Sequence, residues 1–299
     1  MNNVTRGMWL GLVGVTVFAL TLPMTRLATG SVDAPQLSPW FITFARVVIA
    51  GVLSACFLLV TRSPWPQKHQ RKPLVVAMLC NALGFPLLLG LALRQVTSGH
   101  AAVLTALLPL ATAAMAAWLL HQRARLGFWL CAGLGSGLVV VFSLLRAYAQ
   151  NGHFAFEAAD VLLVGAMLAA AVGYVYGAQV TPELGAERVI CWMCLMALPF
   201  ALPVAWATWP TQPIQTESWM ALAYVGVFSM WAGFFAWFRG LAMGGALRVS
   251  QVQLLQPFIS ILAAVPLLGE PLEVMTVGFA LAVVGTVFMG KRLAAPTGR

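Results

Sequence analysis

Runs of about twenty apolar residues, separated by short polar breaks, recur ten times along the chain. They cover residues 7–29, 40–61, 73–94, 99–120 and 126–147, then 158–180, 188–208, 217–239, 247–269 and 272–291. As helices rising about 1.5 Å per residue, each is long enough to cross a hydrocarbon core about 30 Å thick. The breaks carry turn chemistry: Ser63-Pro64-Trp65-Pro66, Asn151-Gly152, Thr181-Pro182 and Trp209-Pro210. The first run exceeds the ~7–15 apolar residues of a signal peptide, so it reads as an uncleaved span.

The pattern is written twice. The stretch 251–285 is an apolar run broken by Pro257, halted at Gly269-Glu270-Pro271 and then resumed. A fainter copy lies 148 residues earlier without a gap: Pro109 falls on Pro257, Leu119-Leu120 on Leu267-Leu268, Ala132 on Ala280, and Gly137-x-Val139 on Gly285-x-Val287. Thr105 matches Gln253 in kind, and Thr112 matches Ser260. Residues 1–150 therefore form a first five-helix repeat and 151–299 a second. Five is odd, so the second repeat enters the membrane upside down.

Charge sets the orientation. With the N-terminus inside, the cytoplasmic segments hold 13 of the 17 Lys and Arg, including Arg62, Lys68, Arg71, Lys72, Arg123 and Arg125. Only Arg94 and Arg146 fall outside, and Arg26 and Arg46 lie within spans. This bias places both termini in the cytoplasm. The loop Gln122-Arg123-Ala124-Arg125 is basic and inside, whereas its equivalent Glu270-Pro271-Leu272-Glu273 is acidic and outside.

Composition sharpens the class. The 299 residues are 61% hydrophobic and 8% charged, against roughly 25% charged in a soluble domain, and the mean hydropathy is +0.89. The expected fold is an all-α polytopic membrane protein with ten transmembrane helices as two inverted repeats, an arrangement on which many transporters are built. The net charge of +9 sits in short loops and is topological, so no nucleic-acid partner is implied. Cys191-Trp192-Met193-Cys194 has redox spacing but lies inside an apolar run without βαβ context.

Polar groups inside spans are the candidate chemistry. Thr105, Pro109 and Thr112 lie at i, i+4, i+7 on one face of the fourth span. Gln253, Pro257 and Ser260 repeat that spacing in the ninth, where Ser250 and Gln256 widen the stripe. A mid-helix proline frees a carbonyl and kinks the helix, which makes Pro109 and Pro257 candidate hinges. The alternative is ordinary hydrogen bonding between packed helices. Asn81 in the third span is matched by Ser229 in the eighth; nearby stand Phe85, Trp231, Phe234, Phe235 and Trp237, and the sixth adds Tyr174, Tyr176 and Gln179. Amides and hydroxyls beside aromatics could hold a small substrate, although aromatic stripes in membrane helices also serve packing and lipid contact. Arg46 and Arg26 sit in the outer halves of their spans, about 10 Å or less from the interface. Either they snorkel or bond helix-end carbonyls, Arg26 with Asp33 nearby, or they offer a cationic contact for a substrate carboxylate.

No Asp or Glu lies near the middle of a span, since Asp160, Glu217, Glu270 and Glu273 sit at helix ends. The histidines His69, His100, His121 and His153 sit in loops or at ends. Proton-coupled carriers usually need an intramembrane carboxylate or His relay, so weakly coupled or uncoupled transport is expected. Gly133-Leu134-Gly135-Ser136-Gly137 lacks the strand of a nucleotide loop and reads as close helix packing between Gly133 and Gly137. With no P-loop, metal spacing or paired carboxylates, no catalytic residue, cofactor or metal is assigned.

The proline of the fourth and ninth spans, the Leu268-Gly269-Glu270 ending, the glycine-spaced helix after it and Arg46 together resemble the drug/metabolite transporter superfamily, in its ten-helix EamA-type branch. His121-Gln122 departs from the family's frequent Glu at the end of the fourth span. Within the superfamily the pattern is most similar to the YddG-type aromatic amino acid and metabolite exporters. The resemblance implies an exporter of the bacterial inner membrane, working by alternating access on amino acids or related metabolites. The expected substrate contacts are Asn81, Phe85, Thr105, Tyr174, Trp231, Trp237, Gln253 and Gln256, and no obligate protein partner is evident. A multidrug carrier for lipophilic or aromatic cations is the nearest rival, and a channel or a membrane scaffold is more distant.

Overall fold

The structure, a computed structural model, describes residues 2–30, 34–92, 104–122, 125–151, 159–268 and 274–293. In chain order they form α1 (Asn3–Ala19), α2 (Thr21–Thr29), α3 (Pro39–Val60), α4 (Lys68–Ala77), a first π-helical segment (Met78–Gly84), α5 (Phe85–Ala92), α6 (Leu108–Leu119) and α7 (Leu126–Asn151). The second half contains α8 (Ala159–Leu184), α9 (Ala186–Ala207), α10 (Thr216–Tyr224), a second π segment (Val225–Ala232) and α11 (Gly233–Gly244). It continues through α12 (Ala246–Val249), a 3-10 segment (Ser250–Leu255), α13 (Gln256–Leu268) and α14 (Val274–Leu293). Among the described residues, eight helical rods are long and apolar enough to cross a membrane. Two shorter apolar helices, Leu108–Leu119 and Val274–Gly290, stand where the fourth and tenth spans are expected. Asp33, Arg94, His100, Arg123, His153, Glu270, Pro271 and Glu273, used above, lie outside the described residues.

The outside of the bundle is greasy: Leu59, Val161 and Val274 are 78%, 76% and 88% exposed. Such a surface suits hydrocarbon rather than water. Lipid gives helices no hydrophobic reason to associate, so close contact depends on small residues and shape. α1 lies against α11, α3 against α9, α7 against α14, and α8 against α4 and α5. The sequence offset recurs in three dimensions. Helix starts at Pro39, Leu108 and Leu126 return at Ala186, Gln256 and Val274, shifts of 147, 148 and 148 residues. The rare π segments coincide under the same shift, since Met78–Gly84 moved by 148 falls within Val225–Ala232.

Three local expectations change. The fourth and ninth spans are broken before their prolines rather than kinked at them. Pro109 and Pro257 are the second residues of α6 and α13, positions where the missing amide hydrogen costs nothing. The chain ahead of Pro257 tightens into the 3-10 segment, and ahead of Pro109 Leu107 N donates to Leu104 O at 3.2 Å. The first span is also divided, at Leu20: Pro23, third in α2, has no amide to donate back to Ala19. Finally, Gly133 and Gly137 have nothing within 4 Å of a Cβ built on them, whereas Gly135 between them would meet Leu254 and Thr286. The close packing falls on Gly135, because the helix turns that face inward.

Candidate functional site

Between the two halves lies a cavity of about 600 Å³, within the ~300–1,000 Å³ of typical small-ligand sites. It runs from Tyr174, Phe234 and Gln253 in the middle of the bundle toward Thr29, Pro39 and Gly90, at the ends of α2, α3 and α5. Asn81, Phe85, Thr105, Tyr174, Gln253, Gln256, Pro109, Pro257, Arg46 and Arg26 all line it. Both broken helices thus present their proline faces to one space, and a side chain joins them: Gln251 Nε2 donates to Pro109 O at 3.3 Å.

The π segments place the polar pair Asn81 and Ser229. In a π turn the i→i+5 register rotates the face that follows it, which is why such turns gather at functional sites. Ser229 Oγ accepts from Thr21 Oγ1 at 2.7 Å and from Arg46 Nη2 at 3.2 Å. One hydroxyl thereby links α2, α3 and the second π segment. Its counterpart is less satisfied. Asn81 Nδ2 is buried without a hydrogen-bond partner, and its amide presses on Gly173 of α8, where a Cβ would come within 2.5 Å of it. Gln253 lies beside the Tyr174 hydroxyl, yet neither Nε2 nor Oε1 makes an aligned hydrogen bond. Arg46 Nε is likewise unpartnered. Buried polar atoms are satisfied nine times in ten or so, so Arg46, Asn81 and Gln253 set unsatisfied polar atoms on three sides of one cavity.

Two expected contacts are elsewhere. Trp237 is fully buried outside the cavity, wedged between Gly14, Phe18 and Tyr174. Trp231 faces away as well: its Nε1 donates to Cys191 Sγ at 3.3 Å and its ring meets Phe57 and Phe235. Both are packing residues, because the helix-sized apolar period cannot tell a core face from a cavity face. Tyr176 and Gln179 do not line the cavity either. Conversely, the division of the first span turns Thr21, Thr25 and Thr29 toward the cavity. Their i, i+4, i+8 stripe around Pro23 was a readable signal.

The other end of the bundle is closed. There the backbone of α1 meets that of α11: a Cβ on Gly7 would fall 2.5 Å from Gly244 N, and one on Gly240 would fall 2.8 Å from Gly11 N. Polar ties join helix ends at this same end. His69 Nε2 lies 2.7 Å from Glu183 Oε2, Arg239 Nη2 lies 2.8 Å from Glu187 Oε1, and Arg188 Nε donates to Ser63 Oγ at 3.1 Å. Leu247 N donates to Gln122 Oε1 at 3.2 Å.

A bundle of lipid-facing helices around a polar-lined cavity that reaches one end defines a solute carrier. The model of the EamA-like transporter family matches residues 5–144 and 158–290, and the chain belongs to that family. It is similar to the uncharacterized transporter YdeK of Bacillus subtilis (strain 168), 38% identical over 296 residues, which is 98% of this chain and 100% of that one. A solved crystal structure shares the fold at a TM-score of 0.77 and 19% identity, covering 96% of this chain and 99% of the other.

Proposed function

We propose that this chain is an exporter of the bacterial inner membrane, built as ten spans in two inverted repeats, with both termini cytoplasmic. It moves neutral or aromatic amino acids and related small metabolites by alternating access, in the manner of the YddG-type exporters. The observation that carries the reading is the shared cavity, whose walls come from both halves and whose amides at Asn81 and Gln253 lack partners. Arg188 and Arg239 stand at the closed end, so the positive-inside bias puts the cavity mouth on the outer side. The described state then faces outward, with α6 and α13 swinging about the breaks before Pro109 and Pro257 to open the other side. Asp160, Glu183, Glu187 and Glu217, the described acids, stand in the first or last turns of their helices, which supports transport without proton coupling.

A carrier for lipophilic cations draws support from Phe18, Tyr174 and Phe234 on the wall. Two arginines on the same wall, and no acid among its described residues, weigh against it. The test is uptake of a labelled amino-acid panel by proteoliposomes carrying Pro257→Ala or Tyr174→Phe. Slowed uptake by folded variants supports the site; wild-type rates in both remove it.

A further inference from the structure

We infer that the cavity selects for negative charge, and that among amino-acid-related metabolites it favours carboxylic acids without a free ammonium group. The inference rests on the reading of the cavity as the transport site and narrows what that site takes.

Arg46 is the starting point. A guanidinium stays protonated at every physiological pH, so this wall carries a fixed positive charge. Its hydrogen bond to a described residue goes from Nη2 to the neutral hydroxyl of Ser229. Nε is buried without a partner. Tyr174 shares its wall, and a phenol is neutral near pH 7. Among the described residues this cation has one neutral oxygen as its partner and no carboxylate as a counter-charge. Planar and forked, it matches a carboxylate edge.

The acids are equally informative. None of the four described acids lines the cavity. Glu183 and Glu187 are engaged at the closed end with His69, Gln70 and Arg239, and Glu217 opens α10. An ammonium entering beside Arg46 therefore meets a like charge and only neutral acceptors, which do not repay the loss of its hydration. One of those acceptors, the Pro109 carbonyl, already takes the Gln251 amide. A substrate body has better provision, since Phe18, Phe85, Met230 and Phe234 supply an apolar wall. The favoured order is acid, then zwitterion, then amine. Deaminated or N-acylated amino acids meet these terms.

The test uses one benzyl body with three head groups. Binding of hydrocinnamate, phenylalanine and phenethylamine to the purified full-length protein is measured by titration calorimetry, with phenyl phosphate as a fourth probe. Hydrocinnamate is expected to bind about tenfold tighter than phenylalanine, with phenethylamine weakest, a step of the size charge-assisted pairing gives. Arg46→Gln should abolish that preference and Arg46→Lys should keep part of it, both checked for folding by their melting curves. Equal or tighter binding of phenylalanine or phenethylamine, or an Arg46→Gln variant that keeps the preference, overturns the inference. Phenyl phosphate binding more tightly than hydrocinnamate replaces the carboxylate with a phosphate ester and overturns it too. Gln253→Ala separates the two levels. If it weakens every probe while the order is reversed, the site stands and the charge rule falls. If it changes nothing, or no probe binds the wild type, the site itself falls.

Discussion

The junction of α1 with α11 and that of α8 with α5 stand at equivalent positions under the 148-residue offset, yet they are built differently. Under the 148-residue shift, Gly11 corresponds to Ala159, Gly240 to Ala92 and Gly14 to Leu162. Where the glycines stand, backbone touches backbone and that end of the bundle is shut. Where their counterparts stand, Ala92, Ala159 and Leu163 form a small apolar cluster with Leu89 and Leu162, so a layer of side chains keeps the helices apart. The cavity reaches its mouth on that side, past Leu89 and Gly90. On the inverted frame proposed above, a few methyl groups placed unequally give the two junctions different contacts, and such a pair opens on one side.

Breaking the glycine junction should have the largest effect. A Cβ on Gly240 would lie 2.8 Å from both Gly11 N and Gly7 O, with backbone on each side and no flexible chain to yield. Gly240→Leu is expected to cost ~1–3 kcal/mol or more through overpacking. A lower melting temperature should accompany new labelling of the basic end by a membrane-impermeant thiol reagent. The reciprocal change, Ala92→Gly, should leave melting within about 1 kcal/mol, the helix-propensity cost of glycine.

Pro257→Ala comes next. Restoring the amide removes the steric reason for the break ahead of α13, so the protein should melt normally while proteoliposome flux falls about tenfold, or ~1.4 kcal/mol of barrier. Gly173→Ala sharpens the picture further. Its new methyl would displace the Asn81 amide, at 2.5 Å, and should raise the half-saturating substrate concentration severalfold with little change in maximal flux. Trp231→Phe should do least: it removes the bond to Cys191 Sγ at 3.3 Å, worth about 1 kcal/mol, and leaves flux untouched because the ring is off the cavity.

How much of this was legible follows from what each residue advertises. Pro109, Pro257, Thr105, Gln253, Asn81 and Arg46 stand out because a polar or imino residue in an apolar run is costly, and the structure sets all six along one cavity. Trp231 and Trp237 were misplaced because aromatic residues look alike whether they face core, lipid or ligand. The role of Gly7, Gly11 and Gly240 was present in the sequence as four- and seven-residue spacings of small residues. Gly133 and Gly137 have the same four-residue spacing and nothing within 4 Å of an added Cβ, so spacing alone does not pick the packed pair. Nothing in the local sequence announces the π segments, whose extra residue per turn depends on how the flanking helices are held.

The most direct test of the central claim is counterflow of a labelled amino-acid panel in proteoliposomes, comparing the wild-type chain with Gln253→Ala and with no imposed proton gradient. The buried amide of Gln253 lacks partners and belongs to the wall that both halves share. The account predicts saturable exchange by the wild type and a loss of about tenfold or more in the variant, the scale of one unmade buried hydrogen bond. Equal exchange by a folded Gln253→Ala protein, or exchange that appears only when a gradient is applied, contradicts it.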